Sequence, residues 1–256
     1  MLKKFTTLIF VLITLSFLSG CATQANKDPL EGMNRTIYKF NTGFDDVVMK
    51  PVSKGYKAVA PTFVVKGINN FFNNLRDVIT VVNDLLQFKF KHAANDGTRV
   101  LMNTTVGILG FVDVHSMSGG ERRKEDFGQT LGYWGWNNSA YLVIPFLGPS
   151  TLRDGVGLLT DTLYFDPISY INDPRTRNQV RLAQFIDART ELLNATDILD
   201  QASLDPYAFQ RDAYLQYREG LVNDNANQNS LHEDENLLSD FVPYEEEKVS
   251  ALQTSN

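Results

Sequence analysis

The sequence predicts an all-α protein built around a single helical domain, and three observations support this prediction. Asp-Pro pairs recur along the chain, and this pair is typical of helix starts because the aspartate caps free amides and the proline presets φ. Apolar residues recur at steps of three or four, which is the period of an amphipathic helix. No segment shows sustained alternation of polar and apolar residues between hairpin turns. The pairs are Asp28-Pro29, Asp166-Pro167, Asp173-Pro174 and Asp205-Pro206.

The first segment of the chain has the pattern of a secretory signal. Lys3 and Lys4 precede an uncharged apolar run that extends to Leu18, and a Ser-Gly pair then leads into Cys21. A cysteine directly after such small residues resembles the lipobox of bacterial lipoproteins, in which the sulfur receives a diacylglyceryl group. The alternative is a signal peptide or short anchor followed by a chance cysteine, although the run is too short for a comfortable transmembrane span.

We therefore predict that residues 1–20 are a lipoprotein signal peptide, that Cys21 is the lipidation site and that residues 21–27 form an acylated linker. Two or more acyl chains anchor a protein far more firmly than one. In enterobacterial-type lipoproteins an aspartate after the cysteine usually retains the protein at the inner membrane, so Ala22 favours the periplasmic side of the outer membrane. Because the chain has one cysteine, it can form no disulfide within itself.

Most of the negative charge lies at the end of the chain. The formal net charge is −6, and residues 223–256 alone contain eight acidic residues and one lysine. The body of the chain is therefore close to neutral, which argues against nucleic acid as a partner and against a polybasic membrane patch. The polar composition of residues 223–256 predicts a disordered acidic tail, and residues 28–222 are left as the helical domain.

The first predicted helix begins at Asp28-Pro29, and Glu31 completes a capping box three residues later. Its apolar residues fall on one stripe, so the helix is amphipathic. Lys50-Pro51 is predicted to end it. The stripe comprises Met33, Ile37, Phe40, Phe44 and either Val47 or Val48.

Further helices are predicted along the rest of the chain. Apolar residues at helical spacing form one face between Val64 and Leu75 and another between Val78 and Leu86. Four more helices are predicted at residues 89–104, 150–164, about 174–203 and about 206–221.

The middle of the chain has a different composition. Ten of the 17 glycines lie between Gly107 and Gly157, together with both tryptophans and the uncharged stretch Tyr141–Leu147. Glycine at this density breaks helices. Composition alone favours an irregular core segment, whereas the preference of tryptophan for membrane interfaces supports an apolar hairpin segment that faces lipid.

Five sequence blocks, in order, resemble those of the MlaA (VacJ) family of lipoproteins. Together they cover roughly residues 28–220, and their combination is specific although each alone is weak. One departure is Trp136–Ala140, where the family often has a turn that contains glycine and proline. The blocks are Asp28–Arg35 with Tyr38–Asn41, Asn103–Val114, Asp126–Gly135, Tyr141–Asp154, and Asp205–Tyr207 with Arg211–Tyr214.

The resemblance implies an all-α, ring-like body that lies in the inner leaflet of the outer membrane and contains an amphipathic channel. Members of the family remove phospholipids that have strayed into the outer leaflet and so maintain lipid asymmetry. They pass the phospholipid to a soluble periplasmic lipid carrier, and they associate with trimeric porins. The resemblance therefore implies a transported phospholipid and no cofactor.

The same resemblance suggests residues that handle lipid. Lys50 is a candidate for a head-group contact, although a lysine that satisfies a helix end is the simpler interpretation. Phe40 and Asn41 are candidates on the first helix, with core packing an equal alternative for Phe40. The candidates for a mobile apolar gate are Trp134, Trp136, Tyr141, Leu142, Val143, Ile144, Pro145 and Phe146.

Two other function classes remain as alternatives. A structural lipoprotein that braces porins needs no lipid path. A phospholipase needs an activated nucleophile and a base, but the chain has no G-x-S-x-G motif, and its histidines have no metal-ligand spacing. Ser150 suits an N-cap better than a nucleophile, with Asp154 in the first turn of the helix. We therefore predict that the chain is not an enzyme.

Overall fold

The structure is a computed structural model that describes residues 27–137, 139–193 and 204–223. Helices make up most of these residues, and the predicted all-α fold is confirmed. The α-helices are α1 (Glu31–Phe44), α2 (Lys50–Val59), α3 (Thr62–Leu86), α4 (Phe90–Thr105), α5 (Val114–Met117), α6 (Phe127–Tyr133), α7 (Leu152–Thr160), α8 (Pro174–Glu191) and α9 (Pro206–Val222).

Shorter elements connect these helices. Asp45–Met49 and Asp161–Phe165 are π-helical turns that follow α1 and α7, and Pro167–Tyr170 is a 3₁₀ turn. Strands β1 (Tyr141–Ile144) and β2 (Gly148–Thr151) form an antiparallel hairpin in which Tyr141 pairs with Thr151 and Ile144 with Gly148.

The chain divides into two compact units. The first unit is Met1–Leu215, and it contains α1 to α8, the hairpin and the first part of α9. The second unit is Gln216–Asn256, of which the structure describes residues 216–223 at the end of α9. The predicted tail after Asn223, the signal and the linker up to residue 26 lie outside the described residues.

Some predicted helix boundaries are wrong. The first helix does not stop at Lys50-Pro51, because α1 passes through a π-helical turn and Lys50 begins α2. Pro51 stands in the first turn of α2, where proline is tolerated. The two apolar faces predicted between Val64 and Leu86 belong to one helix, α3. Ser150 lies in β2, and Thr151 rather than Ser150 caps α7 by accepting from the Asp154 amide at 3.1 Å.

The predicted capping role is confirmed for three of the four Asp-Pro aspartates. Asp166, Asp173 and Asp205 each accept a hydrogen bond from an amide two or three residues later. Asp28 does not cap α1. Its buried carboxylate instead accepts from Asn34 Nδ2 at 2.8 Å and from Tyr207 Oη at 2.5 Å. Asp28 therefore links the segment that precedes α1 to both α1 and α9, instead of capping the N-terminus of α1.

A small hydrophobic core lies beneath the hairpin. Tyr141, Val143 and Tyr207 are almost fully buried, and residues of α1 and α9 pack around them. Burial raises the pKa of the Tyr141 phenol and, together with a hydrogen bond to Asp28, raises that of Tyr207. Both phenols therefore stay protonated at neutral pH.

Burial along α3 follows the polar residues rather than the apolar ones. Apart from Phe72, the predicted apolar residues of α3 are half-buried or exposed, so their helical period is right but they do not form the buried face. No helix in the described ranges is both long and apolar enough to cross a bilayer. The polar side chains that α3 buries, with the residue that follows it, are Asn74, Asp77, Thr80, Asn83, Asp84 and Gln87.

Candidate functional site: an amphipathic cavity

A cavity of about 610 Å³ lies between α3, α7, α8 and the segment that precedes α6. Part of its wall is apolar, and part carries charged side chains. A cavity with both kinds of wall suits an amphiphilic ligand better than a purely polar one. The apolar lining residues are Ile79, Leu147, Leu158, Leu159 and Phe185, and the cationic ones are Arg76, Arg122, Lys124 and Arg181.

The carboxylates that line the cavity are engaged in holding the fold. Asp161 accepts from Asn83 Nδ2 at 3.0 Å and from the Phe127 amide at 2.8 Å. Glu125 accepts from Gln87 at 2.9 Å and pairs with Lys89 at 3.3 Å. The other two, Asp126 and Asp166, cap α6 and the 3₁₀ turn. Their negative charge is therefore largely neutralised by donors from the protein itself.

The cations of the lining are less completely paired. Arg122 pairs with Asp77 at 2.9 Å, and Arg76 donates to the neutral Asn73 at 2.9 Å. Lys124 is accessible from the cavity and has no ion-pair partner among the described residues. Desolvation by the surrounding protein and the charge of Arg122 lower the pKa of Lys124, and the same two causes lower that of Arg76. An anion placed among these groups would relieve their mutual repulsion.

A buried polar network fixes the wall between α3 and α6. Thr130 donates to Asn83 Oδ1 at 2.8 Å, and Gln87 Nε2 donates to Thr130 Oγ1 at 3.1 Å. Because Asn83 and Gln87 also hold Asp161 and Glu125, the network links α3 to both carboxylates. A satisfied network of this kind makes the cavity wall rigid.

The hairpin turn reaches the cavity through Leu147, and α1 holds that turn in place. Asn41 Nδ2 donates to the Ile144 carbonyl at 2.9 Å, and the Phe146 amide donates to Asn41 Oδ1 at 2.8 Å. The Phe146 ring packs edge-on against Phe40, with 5.1 Å between the ring centroids. Phe146 itself has a left-handed φ of 65°. The structure thus brings together four of the predicted residues from two elements, namely Phe40 and Asn41 of α1 with Ile144 and Phe146 of the hairpin.

The remaining gate candidates occupy different environments. Tyr141 and Val143 point into the core, so the structure gives them a packing role and their lipid handling stays a prediction. Leu142 and Ile144 on the opposite face of β1 are half-buried, and Pro145 is exposed.

The other predicted residues lie away from the cavity lining. Half of the Trp134 side chain is exposed, and its indole donates to the Leu86 carbonyl at 3.2 Å. Trp136 is half-buried, and its carbonyl accepts from Arg153 at 3.4 Å. Lys50 begins α2 and does not line the cavity. A head-group role for Lys50 therefore stays a prediction without support from the cavity.

Sequence patterns did not reveal the cationic residues of the cavity. Arg122 and Lys124 belong to the charged run Glu121–Asp126, which has no periodicity that would place it against α3. A usable signal was present within α3, where polar residues recur every three or four positions from Asn73 to Asp84. Within the described ranges, no group of three or more His, Cys, Asp and Glu side chains could hold a metal ion.

Comparison with protein families identifies a match over most of the chain. The family described as MlaA lipoprotein matches residues 26–221. The chain belongs to the MlaA lipoprotein family. The matched range includes every residue that lines the cavity and the whole hairpin, whereas Cys21 lies before it.

Curated relatives and a solved structure agree with this assignment to the MlaA family. The chain is 35% identical over 217 residues to the intermembrane phospholipid transport system lipoprotein MlaA of Shigella flexneri, covering 81% of this chain and 85% of that protein. The protein of the same name from Escherichia coli K12 is 34% identical over the same shares. A solved structure described as the structural basis for maintenance of bacterial outer membrane lipid asymmetry superposes with a TM-score of 0.67. It is 32% identical, and the match covers 76% of this chain and 98% of that one.

Proposed function

We propose that this lipoprotein removes phospholipids that have strayed into the outer leaflet of the outer membrane and hands them to a soluble periplasmic lipid carrier. The observation that supports this proposal most directly is the cavity, because it offers cations and apolar side chains within one space. The name shared by the two relatives supports phospholipid as the ligand class.

The chemistry of a phospholipid matches the two kinds of wall. A bare phosphate is costly to move through hydrocarbon, so a transfer path needs cationic groups along its length. Lys124, Arg76 and Arg122 provide such groups, and the lining carboxylates Asp161 and Glu125 are engaged by other donors of the protein. Leu158, Leu159 and Phe185 would contact the acyl chains.

The exposed surface of the first unit supports a position within one leaflet. Large apolar side chains on α1 to α3 are exposed, among them Phe40 at 50%, Val59 at 87% and Phe63 at 72%. Exposed apolar surface of this extent marks a membrane or protein interface rather than a surface that faces water. A protein held in one leaflet needs no helix that crosses the bilayer.

The anchor and the partners complete the proposal. Acyl chains on Cys21 would hold the chain on the periplasmic side of the outer membrane, and a trimeric porin would be its neighbour there. The acidic tail from Asn223 onward would help to dock the carrier by electrostatic attraction to a basic face. The protein transfers the lipid intact, so it acts as a transporter and not as an enzyme.

The proposal is tested in a host whose own copy of the gene has been deleted. Phosphatidylethanolamine at the cell surface is labelled with an amine reagent that does not cross membranes. We expect surface labelling to rise on deletion and to return to normal with the wild-type chain. Lys124→Glu should fail to restore it, because an added carboxylate repels the phosphate, whereas Lys91→Glu on the exposed face of α4 should restore it.

Each arm of the experiment has a result that contradicts one part of the proposal. Unchanged surface labelling after deletion would remove the transport function itself. Full restoration by Lys124→Glu at wild-type abundance would show that the cavity is not the lipid path. A separate experiment tests the anchor, in which cells that express Cys21→Ala are given a radioactive fatty acid. Incorporation equal to that of the wild type would contradict the prediction that Cys21 is the acylation site.

A further inference from the structure

We propose that Asp45 and Arg189 form a positioning pair that sets where the hairpin turn lies relative to the α8 wall of the cavity. Neither residue lines the cavity itself. The inference rests on the proposed function and deepens it, because it assigns to two residues outside the lipid path the placement of Leu147 within that path.

The pair joins two helices that are far apart in the sequence. Arg189 of α8 donates from Nε to Asp45 Oδ1 at 2.6 Å and from Nη2 to Asp45 Oδ2 at 2.7 Å. The two residues are 144 positions apart in the chain. Two parallel hydrogen bonds between a guanidinium and a carboxylate fix the angle between the groups as well as the distance. The pair therefore fixes the orientation of the end of α1 against α8.

On the α1 side, Asp45 directly follows the residues that hold the hairpin turn. The ring of Phe44 packs edge-on against Phe146, with 5.0 Å between the ring centroids. Asn41, one helical turn before Asp45, makes the two hydrogen bonds to the hairpin described above. Asp45 also begins the π-helical turn that follows α1, and π-helical turns occur frequently at functional sites. A displacement of Asp45 would therefore displace Phe146 and the neighbouring Leu147.

On the α8 side, Arg189 directly follows the cavity wall. Ala188 and Phe185, one residue and about one turn before it, both line the cavity. This part of α8 is also attached to α3, because Asn69 Nδ2 donates to Asp187 at 3.2 Å. The walls formed by α3 and α8 are thus joined to each other, and Arg189 extends this connection to α1.

The surroundings of the pair favour positioning over stability as its main role. The Asp45 side chain is 29% exposed, so water screens part of the attraction, and a screened ion pair contributes little to the free energy of unfolding. The forked geometry is retained all the same, because the planar guanidinium presents its donors in a fixed arrangement. Since neither residue lines the cavity, the pair does not have to open when lipid enters.

The test measures the distance between the hairpin turn and α8 in the full acylated chain in detergent. Leu147→Cys and Leu182→Cys, at positions that are 58% and 57% exposed, carry nitroxide labels for double electron–electron resonance. We expect one narrow distribution of label-to-label distances in the otherwise wild-type chain and the loss of that narrow peak in Arg189→Gln. Arg175→Gln, the same substitution at an exposed position of α8, is the matched control and should keep the narrow peak.

Two further variants separate positioning from a purely structural role. Arg189→Lys keeps the charge but not the fork, so it should keep the melting temperature and still lose the narrow peak. Asp45→Asn combined with Arg189→Gln should broaden the distances no more than either change alone, because both remove the same contact. A narrow peak in folded Arg189→Lys, or broadening that adds up in the double variant, would overturn the proposal.

Surface labelling of phosphatidylethanolamine then links the pair to lipid transport. Arg189→Lys at wild-type abundance should leave more phosphatidylethanolamine at the cell surface than Arg175→Gln does. Broadened distances with normal surface labelling would show that the pair does not act on the lipid path, and the inference would be wrong. Labelling that is unchanged even after deletion of the gene would instead refute the proposed function, and the distance measurement would still decide whether the pair positions the hairpin turn.

Discussion

The core under the hairpin and the interface between α3 and α4 are built on opposite principles. Under the hairpin, Tyr141, Val143 and Tyr207 exclude water as in a soluble protein. On α3 and α4 most buried side chains are polar or charged, and Arg99 joins Asp77 at 3.0 Å and also Asp113. The first region is stabilised chiefly by the burial of apolar surface, and the second by pairing of polar groups.

This difference shows how one chain can be stable next to both water and lipid. The α3–α4 pair buries polar side chains and leaves apolar side chains such as Phe63 and Leu101 exposed, which is favourable next to lipid. The hairpin core instead fixes the position of the turn that presents Leu147 to the cavity. The predictions that follow test each half of this comparison.

The largest effect is expected in the hairpin core. Val143→Asp should destabilise the protein by more than about 5 kcal/mol, because a carboxylate without a partner would be buried. Leu142→Asp, on the half-buried face of β1, should leave the fold intact and impair lipid handling. Abundance in cells and surface phospholipid labelling distinguish the two variants. If both proteins are degraded alike, then the whole strand belongs to the core and the apolar gate is refuted.

A somewhat smaller effect is expected between α3 and α4. Arg99→Leu should cost about 3–5 kcal/mol of unfolding free energy, since Asp77 and Asp113 lose a buried partner. Arg35→Ala removes an exposed, solvent-screened pair with Asp205 and should cost far less. Urea unfolding of both variants provides the measurement. Equal costs would show that the α3–α4 interface does not depend on its buried charges.

The stability of the α3–α4 interface should also depend on pH. Burial raises the pKa of Asp84 in α3 to about 8, and the charges of Asp96 in α4 and Glu125 add to this effect, whereas Lys89 opposes it. The folded protein thus holds this proton more tightly than the unfolded chain, in which the pKa is near 3.8. The contribution of Asp84 to the free energy of unfolding is therefore fully present below about pH 4 and is lost as the pH rises to about 8.

Asp84→Asn, which imitates the protonated form, should remove this dependence. The melting temperature of the variant minus that of the wild type should grow between about pH 5 and pH 8 and then level off. Asp205→Asn is a control of opposite sign, because hydrogen bonds from Arg35 lower the Asp205 pKa to about 2. Stability from Asp205 is lost only as the pH falls through that value. A constant difference for Asp84→Asn between pH 5 and pH 8 would show that Asp84 is ionised in the folded protein.

The helical class, most helix starts and the family could be predicted from the sequence. These features depend on local chemistry, since a capping aspartate such as Asp173 acts within its own turn. Asp28 shows where local reasoning failed. Its partner Tyr207 lies 179 positions away in the chain, and no capping rule contains that contact.

Tertiary packing sets which face of each helix is buried and which residues share the cavity. Periodicity identifies two faces of α3 but not the solvent that each one meets, and here the polar stripe turned inward. Arg76, Lys124 and Phe185 come from separate segments, so their meeting depends on how α3 and α8 pack. The placement of Leu147 beside them depends in turn on Asn41, whose two hydrogen bonds to the hairpin span more than one hundred positions of sequence.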